Sequence, residues 1–271
     1  MNLQQLEYIQ ALDKFRHFGR AADYCDVTQP TLSTMIQKLE EELGQLLPAA
    51  RLVRMDRDTT GRKFAHTEIL TQFRRRNFDI LLGTQMVAKG HDLPGVQAVG
   101  IISADASLNL PDFRAAERCF MLITQTAGRA GRHGARGEVI VQTYNPEHYA
   151  VQAALRQDYE AFYAREIELR RELFYPPFSR LVKLLFHETS RERAWGEANA
   201  FVTAFRSAFA KEQDCMVIGP SPALIERERG VYRFIVLIKT AALADVQAHL
   251  RAHAIHLRDD IAIDIDPITI F

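Results

Sequence analysis

The sequence predicts an α/β protein in three parts: an N-terminal helix-turn-helix, a lobe built on a parallel α/β sheet, and a C-terminal ferredoxin-like α+β domain. Three observations predict it. A capped helix with an apolar stripe follows two shorter helical segments within the first 44 residues; short apolar runs alternate with helical or Gly-rich stretches from about 45 to 150; and a β-α-β-β-α-β succession follows Pro176 and Pro177. No Pro/Gly/Ser-rich linker separates the parts, so periodicity sets the boundaries at 1–44, 45–175 and 176–271.

In the first part Leu3, Leu6 and Ile9 share a helical face, and a short helix is expected around Phe18 to Tyr24. "VTQPTLSTMIQKLEEELG" makes the third helix: Thr28 is a good N-cap, Pro30 sits in the first turn where its missing N–H costs nothing, and Leu32, Ile36, Leu39 and Leu43 form the stripe. In the second part "RLVRM", "DILLG", "AVGIISA" and "EVIVQT" read as strands, and "VQAALRQDYEAFYAREIELRRELF" reads as one helix from about 151 to 175, ended by the proline pair. In the third, "RLVKLLFHE", "CMVIGPSPALIERE", "YRFIVLIKT" and "IAIDIDP" are strands. Helices from about Arg191 to Ala210 and from about Ala242 to Ala254 separate them.

Composition narrows the function classes. Thirty-four basic residues balance thirty-four acidic ones, so nucleic-acid binding must come from local patches and not from net charge. Cys25, Cys119 and Cys215 have no CxxC pairing and no Cys/His spacing for zinc; they read as small buried hydrophobes. No stretch approaches 18 apolar residues and the start has no signal-like pattern, so a cytoplasmic, reducing location without membrane contact is expected.

Three stretches carry candidate chemistry. In "QTAGRAGRHGARG", Gly128, Gly131, Gly134 and Gly137 recur every three residues around Arg129 and Arg132. Glycine allows a tight turn and close backbone approach to a phosphate, and arginine adds a permanently charged fork; the alternative is a surface turn with solvated arginines. In "DILLGTQMVAKGHDLPGV", Gly83 and Thr84 end a strand and Lys89, Gly90, His91 and Asp92 precede Pro94. Ligands of open α/β sheets bind beyond such strand ends, where Thr84 can hold a nucleic-acid phosphate and Asp92 a ribose hydroxyl or a water; alternatively His91 and Asp92 cap a turn and Lys89 is solvated. "ERERGVYRF" interleaves Arg227, Arg229 and Arg233 with Tyr232, which suits backbone contact and stacking, unless Tyr232 is core on a half-buried strand. No GxxxxGK[ST] phosphate loop occurs.

"RMDRDTT", "ILLGTQMVAKGHD", "LPDFRAAER", "QTAGRAGR" and "GEVIVQTYNPEHYA" resemble, in order and spacing, the second RecA-like lobe of the PriA replication-restart helicases. "RRELFYPPFSRLVKLLF", "GPSPALIERERGVYRF" and "DIDP" resemble that family's C-terminal domain, so the resemblance spans about 45–271. It implies that Gln125, Arg129 and Arg132 face the γ-phosphate of ATP held mainly by a first lobe, with Mg²⁺. It also implies that Gly83, Thr84, Lys89, Gly90 and Asp92 couple that nucleotide to the DNA backbone. The Walker lysine, the acidic pair and the cysteine-rich zinc insertion of the family do not occur in these residues, so the ATP site is incomplete and the chain alone is expected not to turn over ATP. Forked or single-stranded DNA, single-strand-binding protein, primosome proteins and a complementary first lobe are the implied partners.

"MNLQQLEYIQALDKFRHFGRAADYCDVTQPTLSTMIQKLEEELG" resembles the DNA-binding head of LysR-type regulators, closest to the peroxide regulator OxyR. The resemblance places Gln29, Thr31, Ser33 and Thr34 against base edges in the major groove of a duplex operator and Arg20 and Lys38 on phosphates. The wing, linker helix and effector domain of that family do not follow, and "EEEL" at residues 40–43 suits both patterns where they join. The expected function is that of a DNA-binding fragment of a PriA-like helicase. The alternatives are a LysR-type regulator fragment or an inert fusion.

Overall fold

A computed structural model describes residues 40–55, 65–83, 93, 95–102, 104–131, 137–210, 212 and 214–271. Most of the expected helix-turn-helix lies outside them. The chain divides into two compact units, one made of residues 1–110 and 115–162, the other of residues 111–114 and 163–271.

In the first unit, residues 40–46 are helical and lead to strand β1 (Leu52–Met55). Helix α1 (Ala65–Arg74) precedes β2 (Ile80–Gly83), which pairs in parallel with β1 from Leu52↔Ile80 to Met55↔Gly83. Arg51 fixes that register just before the strands: its Nη2 and Nε donate to Asp79 Oδ1 and Oδ2 at 2.8 and 2.9 Å, and its backbone N–H donates to Oδ2 at 2.8 Å. The guanidinium holds the Asp79 carboxyl well below the usual range, chiefly through that hydrogen bond. A second parallel pair joins β3 (Ala98–Ile101) to β4 (Glu138–Val141). The four strands fall where the apolar runs predict, and among the described residues they form two separate two-stranded ladders.

Two small cores support these ladders. Met55, Leu70 and Leu93 pack together beside β1 and α1. Ile101, Cys119, Phe120, Ile123, Val151 and Phe162 belong to the other core, formed with the one-turn helix α2 (Asp105–Leu108), α3 (Ala115–Ala127) and α4 (Tyr149–Arg156) nearby. The single helix expected over 151–175 is corrected: the chain forms α4 and then α5 (Tyr159–Glu172). Gln157 takes a left-handed conformation at φ 55° and donates its N–H to Ala153 and Ala154 carbonyls; Asp158 Oδ1 then accepts the N–H of Ala161 at 2.9 Å. A side-chain cap starts the new helix without glycine or proline at the break.

The second unit has the predicted β-α-β-β-α-β order. Its elements are β5 (Arg180–Glu188), α6 (Arg191–Ala208), β6 (Cys215–Glu228), β7 (Val231–Thr240), α7 (Leu243–Ala252) and β8 (Ile261–Ile265). They make an antiparallel sheet in the order β6-β7-β5-β8. Period-two alternation sends Phe234, Val236 and Ile238 of β7 into one core with Val182, Leu184 and Phe186 of β5. Ala194, Ala198, Val202 and Phe205 of α6 and Val246 and Leu250 of α7 close it. Ser190 caps α6, its Oγ accepting the Arg193 N–H.

"PDFR", residues 111–114, belongs to this unit although its neighbours in sequence belong to the other. Phe113 stacks on Tyr175 with ring centroids 4.8 Å apart at 8°. Arg114 and Arg170 lie 4.3 and 5.1 Å from the Phe113 ring centre, and Lys239 Nζ lies 3.3 Å from that of Tyr175. Arg114 also donates to the carbonyls of Pro267 and Ile268 at 3.0 Å. Cations and aromatic faces thus pin a remote four-residue segment into the C-terminal unit.

Candidate nucleic-acid interface and arginine turn

Helix α3 positions the first half of the arginine motif. Ala115, Cys119, Phe120 and Ile123 take its buried stripe, which leaves Gln125 exposed near its end. Past Ala127 the backbone tightens to three-residue steps: Arg129 N–H donates to Thr126 O at 3.0 Å and Ala130 N–H to Ala127 O at 3.1 Å. Gly131 has φ 74°, and its N–H donates to Val96 O at 3.1 Å just ahead of β3. At Gly137 a Cβ would sit 2.2 Å from Gly131 N and 2.4 Å from Ala130 C, so the chain returns against its own backbone there. A Cβ at Gly128 meets only ordinary contacts at 3.6 Å. Among the described glycines of the run, one is a left-handed turn residue, one marks a close backbone approach and one has only ordinary contacts.

Arg129 is half-buried, with its Nε shut off from solvent. Gly83 is the exposed last residue of β2. Arg132, Thr84, Lys89, Gly90 and Asp92 lie outside the described residues, as do Gln29, Thr31, Ser33, Thr34, Arg20 and Lys38. An exposed glutamine and an arginine four residues on suit the outer oxygens of a phosphate. The 271 residues carry no GxxxxGK[ST] loop that would hold the rest of a nucleotide. Nearby, Asp105 is buried and already accepts from Thr143 Oγ1 and the Tyr144 N–H at 2.9 and 3.0 Å. Burial, helped by the Asp105 charge, pushes the Cys119 thiol up to about 12, so it is no nucleophile.

The other candidate lies at the β6–β7 hairpin. Arg229 and Gly230 form its two-residue turn, both at positive φ (53° and 84°), which matches a type I′ hairpin and leaves Arg229 exposed at the tip. Arg227 pairs across the ladder with Tyr232, and its Cζ lies 5.1 Å from the ring centre. Tyr232 packs against the core on the helix side of the sheet. Arg233, one residue on, points to the other face, where it donates to the Ile225 carbonyl and to Glu228. The structure thus joins Arg227, Arg229 and Tyr232 and holds Arg233 in internal bonds. Trp195 of α6, which the sequence reading passed over, is 43% exposed and meets Phe234 edge-on at 5.4 Å. Its signal was present in the helix: Ala194, Ala198 and Val202 define the buried stripe, and Trp195 lies beside it.

Residues 171–268 match the family described as the primosomal protein N C-terminal domain. Residues 3–54 match that of bacterial regulatory helix-turn-helix proteins of the lysR family. The replication restart protein PriA of Bacillus subtilis is 43% identical over 245 residues, covering 86% of this chain and 30% of that protein. Those of Chlamydia pneumoniae and Treponema pallidum are 37% and 38% identical over 240 and 237 residues, covering 87% and 86% of this chain and 32% and 36% of theirs. Most of the chain is homologous to PriA. It spans about a third of the length of these PriA relatives. The primosomal match takes in all four strands of the second unit, the hairpin and Trp195, while Phe113 and Arg114, which lie outside it, pack into the same unit. Among the described residues no helix is long and apolar enough to cross a membrane, and no three His, Cys, Asp or Glu side chains converge to hold a metal.

Proposed function

We propose that this chain acts in replication restart as a DNA-binding protein of PriA type, its second unit a ferredoxin-like domain that meets the DNA backbone through the β6–β7 hairpin. The observation that carries the reading is the exposed arginine tip, Arg229 with Arg227 behind it, in the unit that the primosomal family matches. Tyr232, cushioned on the core, sets the angle of Arg227. In the first unit, a RecA-like lobe by resemblance, Gln125, Arg129 and Arg132 would meet the γ-phosphate of ATP, which supplies the phosphoryl bond whose cleavage drives strand separation. Lys89, Gly90 and Asp92 would sense that nucleotide, and Gly83 and Thr84 would hold the DNA backbone. Arginine stabilises a phosphoryl transition state only where other groups hold the β- and γ-phosphates, so the 271-residue chain by itself binds DNA and does not turn over ATP. A separately supplied first lobe and the primosome proteins are the partners this reading calls for, with single-strand-binding protein among them.

Fluorescence anisotropy with a labelled replication fork tests the DNA reading. Binding is expected, weakened several-fold in Arg229→Ala and Arg227→Ala and falling as salt rises. Binding that ignores both arginines sinks the hairpin assignment, and DNA-stimulated ATPase lost in Arg132→Ala overturns the ATP half. The lysR-family match favours a second reading, a head that selects a duplex operator through Gln29, Thr31, Ser33 and Thr34. Tighter binding to a palindromic duplex than to the fork decides for it.

A further inference from the structure

We propose that Trp195 is a base-stacking platform, so that the helix-side end of the second unit's sheet takes single-stranded nucleic acid, with Arg227 and Arg229 holding its phosphates. This rests on the DNA-binding reading above and adds a base-stacking residue to it.

Four observations converge. Trp195 is 43% exposed in the second turn of a helix that buries only the stripe Ala194, Ala198, Val202 and Phe205, and it sits next to the fully buried Ala194. A large indole left in water beside a packed stripe forgoes burial that the core could have offered. Second, the ring is held in place: it meets the fully buried Phe234 edge-on, with centroids 5.4 Å apart at 69°. A fixed ring with solvent access needs little further ordering when a flat partner stacks on it. Third, Tyr232 lies two residues from Phe234 on the same face of β7, about 7 Å along the strand, and carries Arg227 opposite it. Trp195, Tyr232, Arg227 and the tip residue Arg229 therefore line one end of the unit.

Fourth, the charges at this end do not cancel. Arg191 pairs with Glu226, Arg193 with Glu188 and Arg233 with Glu228. Arg227 and Arg229 form no ion pair among the described residues; Glu192, held by Ser190 Oγ one turn before Trp195, is likewise outside any ion pair and offsets one of them, so the end keeps a net positive charge. An aromatic face beside two such arginines is the arrangement that binds single strands, base on ring and phosphate on guanidinium. A duplex keeps its bases stacked inside and offers Trp195 none. An acidic peptide satisfies the arginines but brings no planar group for the indole.

Trp195 is the chain's one tryptophan, so its emission reports on the site directly. The whole chain is titrated into an end-labelled oligothymidylate of about 20 nucleotides, long enough for one site of this kind, with label anisotropy and tryptophan emission read together. Quenching should track the anisotropy rise. Trp195→Ala should weaken binding roughly 5- to 100-fold, while Trp195→Phe, which keeps an aromatic on Phe234, should retain most of it. If the anisotropy rises without quenching and Trp195→Ala and Trp195→Phe bind as the parent does, the stacking proposal is overturned and the DNA-binding reading survives. If neither the fork nor the oligothymidylate binds, both fall. Quenching by an oligoglutamate peptide but not by oligothymidylate reassigns the surface to acidic proteins and overturns it too.

Discussion

In the second unit β7 and β5 each have a hydrogen-bonded strand on both sides, whereas in the first unit every described strand has one partner. The contrast follows from connection chemistry. Antiparallel strands close through a two-residue turn such as Arg229-Gly230, while parallel pairs need a long crossover before either strand gains its ladder. Among the described residues the second unit gathers thirteen buried residues into one core, and the first has separate clusters of ten and three. A two-stranded ladder is marginal unless helices cover it, so the first unit leans on α3 and α4 more than the second leans on its helices. Ile140, 60% exposed in the middle of β4, shows the same shortfall of cover.

The largest expected effect breaks that comparison at its strong end. Phe186 is fully buried at the centre of the second unit's sheet, and Phe186→Ala should cost about 3–5 kcal/mol. Trp195 sits in that unit, so its emission follows the second unit's unfolding in urea while far-UV dichroism follows both. The emission midpoint should fall well ahead of the remaining dichroism change. Coincident shifts would show that the two cores are not separate in stability.

Next comes the weak end. A methyl at Gly137 would overlap backbone atoms of Ala130 and Gly131, which cannot yield as a flexible side chain can. Gly137→Ala should cost about 1–3 kcal/mol in the first unit and leave the tryptophan midpoint in place, while Gly128→Ala, with ordinary contacts, should be tolerated. Equal tolerance of both would sink the close-approach assignment.

These glycines show what the sequence can and cannot disclose. Every described strand was legible, because apolar runs such as "RLVKLLFHE" and "EVIVQT" are bounded by polar or turn residues and need no knowledge of their partners. The opposite faces of Tyr232 and Arg233 were equally open to reading, since strand side chains alternate. The unit that "PDFR" joins was not: its allegiance rests on Phe113 meeting Tyr175 sixty-two positions away, a contact with no local signal. The arginine motif announced a turn, but which glycines were obligatory depended on where Val96 and Gly137 came to lie.

A third test uses pH to separate the units. Lys239 is almost fully buried, donates to the Leu173 carbonyl at 2.8 Å, and is pushed by burial from the usual 10.5 down to about 8. Below pH 8 both native and unfolded chains hold this proton and the burial penalty is present in full. Between pH 8 and 10.5 the unfolded chain holds more of it, so this group favours the native state increasingly as pH rises. The parent should gain about 1–2 kcal/mol on Lys239→Met between pH 8 and 10, read from tryptophan-detected urea midpoints. A gap that is flat, or that narrows as pH rises, would show that the ammonium is fully compensated by the Tyr175 face and the carbonyl.

The smallest expected effect concerns the break between α4 and α5. Nothing in "ALRQDYEAF" forbids a continuous helix, and a single rod is what its periodicity predicts. Two local events oppose it: Gln157 adopts a left-handed conformation that closes α4, and Asp158 accepts the Ala161 N–H that α5 would otherwise leave unmet. Asp158→Ala removes the cap and should cost roughly 1 kcal/mol, whereas Gln157→Gly relieves the positive φ and should be neutral or slightly stabilising. Hydrogen exchange at Ala161 and Phe162 reads the first, and opposite signs for the two variants identify a built break. Should Asp158→Ala instead slow exchange across residues 156–161, the rod was the preferred state and the carboxylate alone held it open.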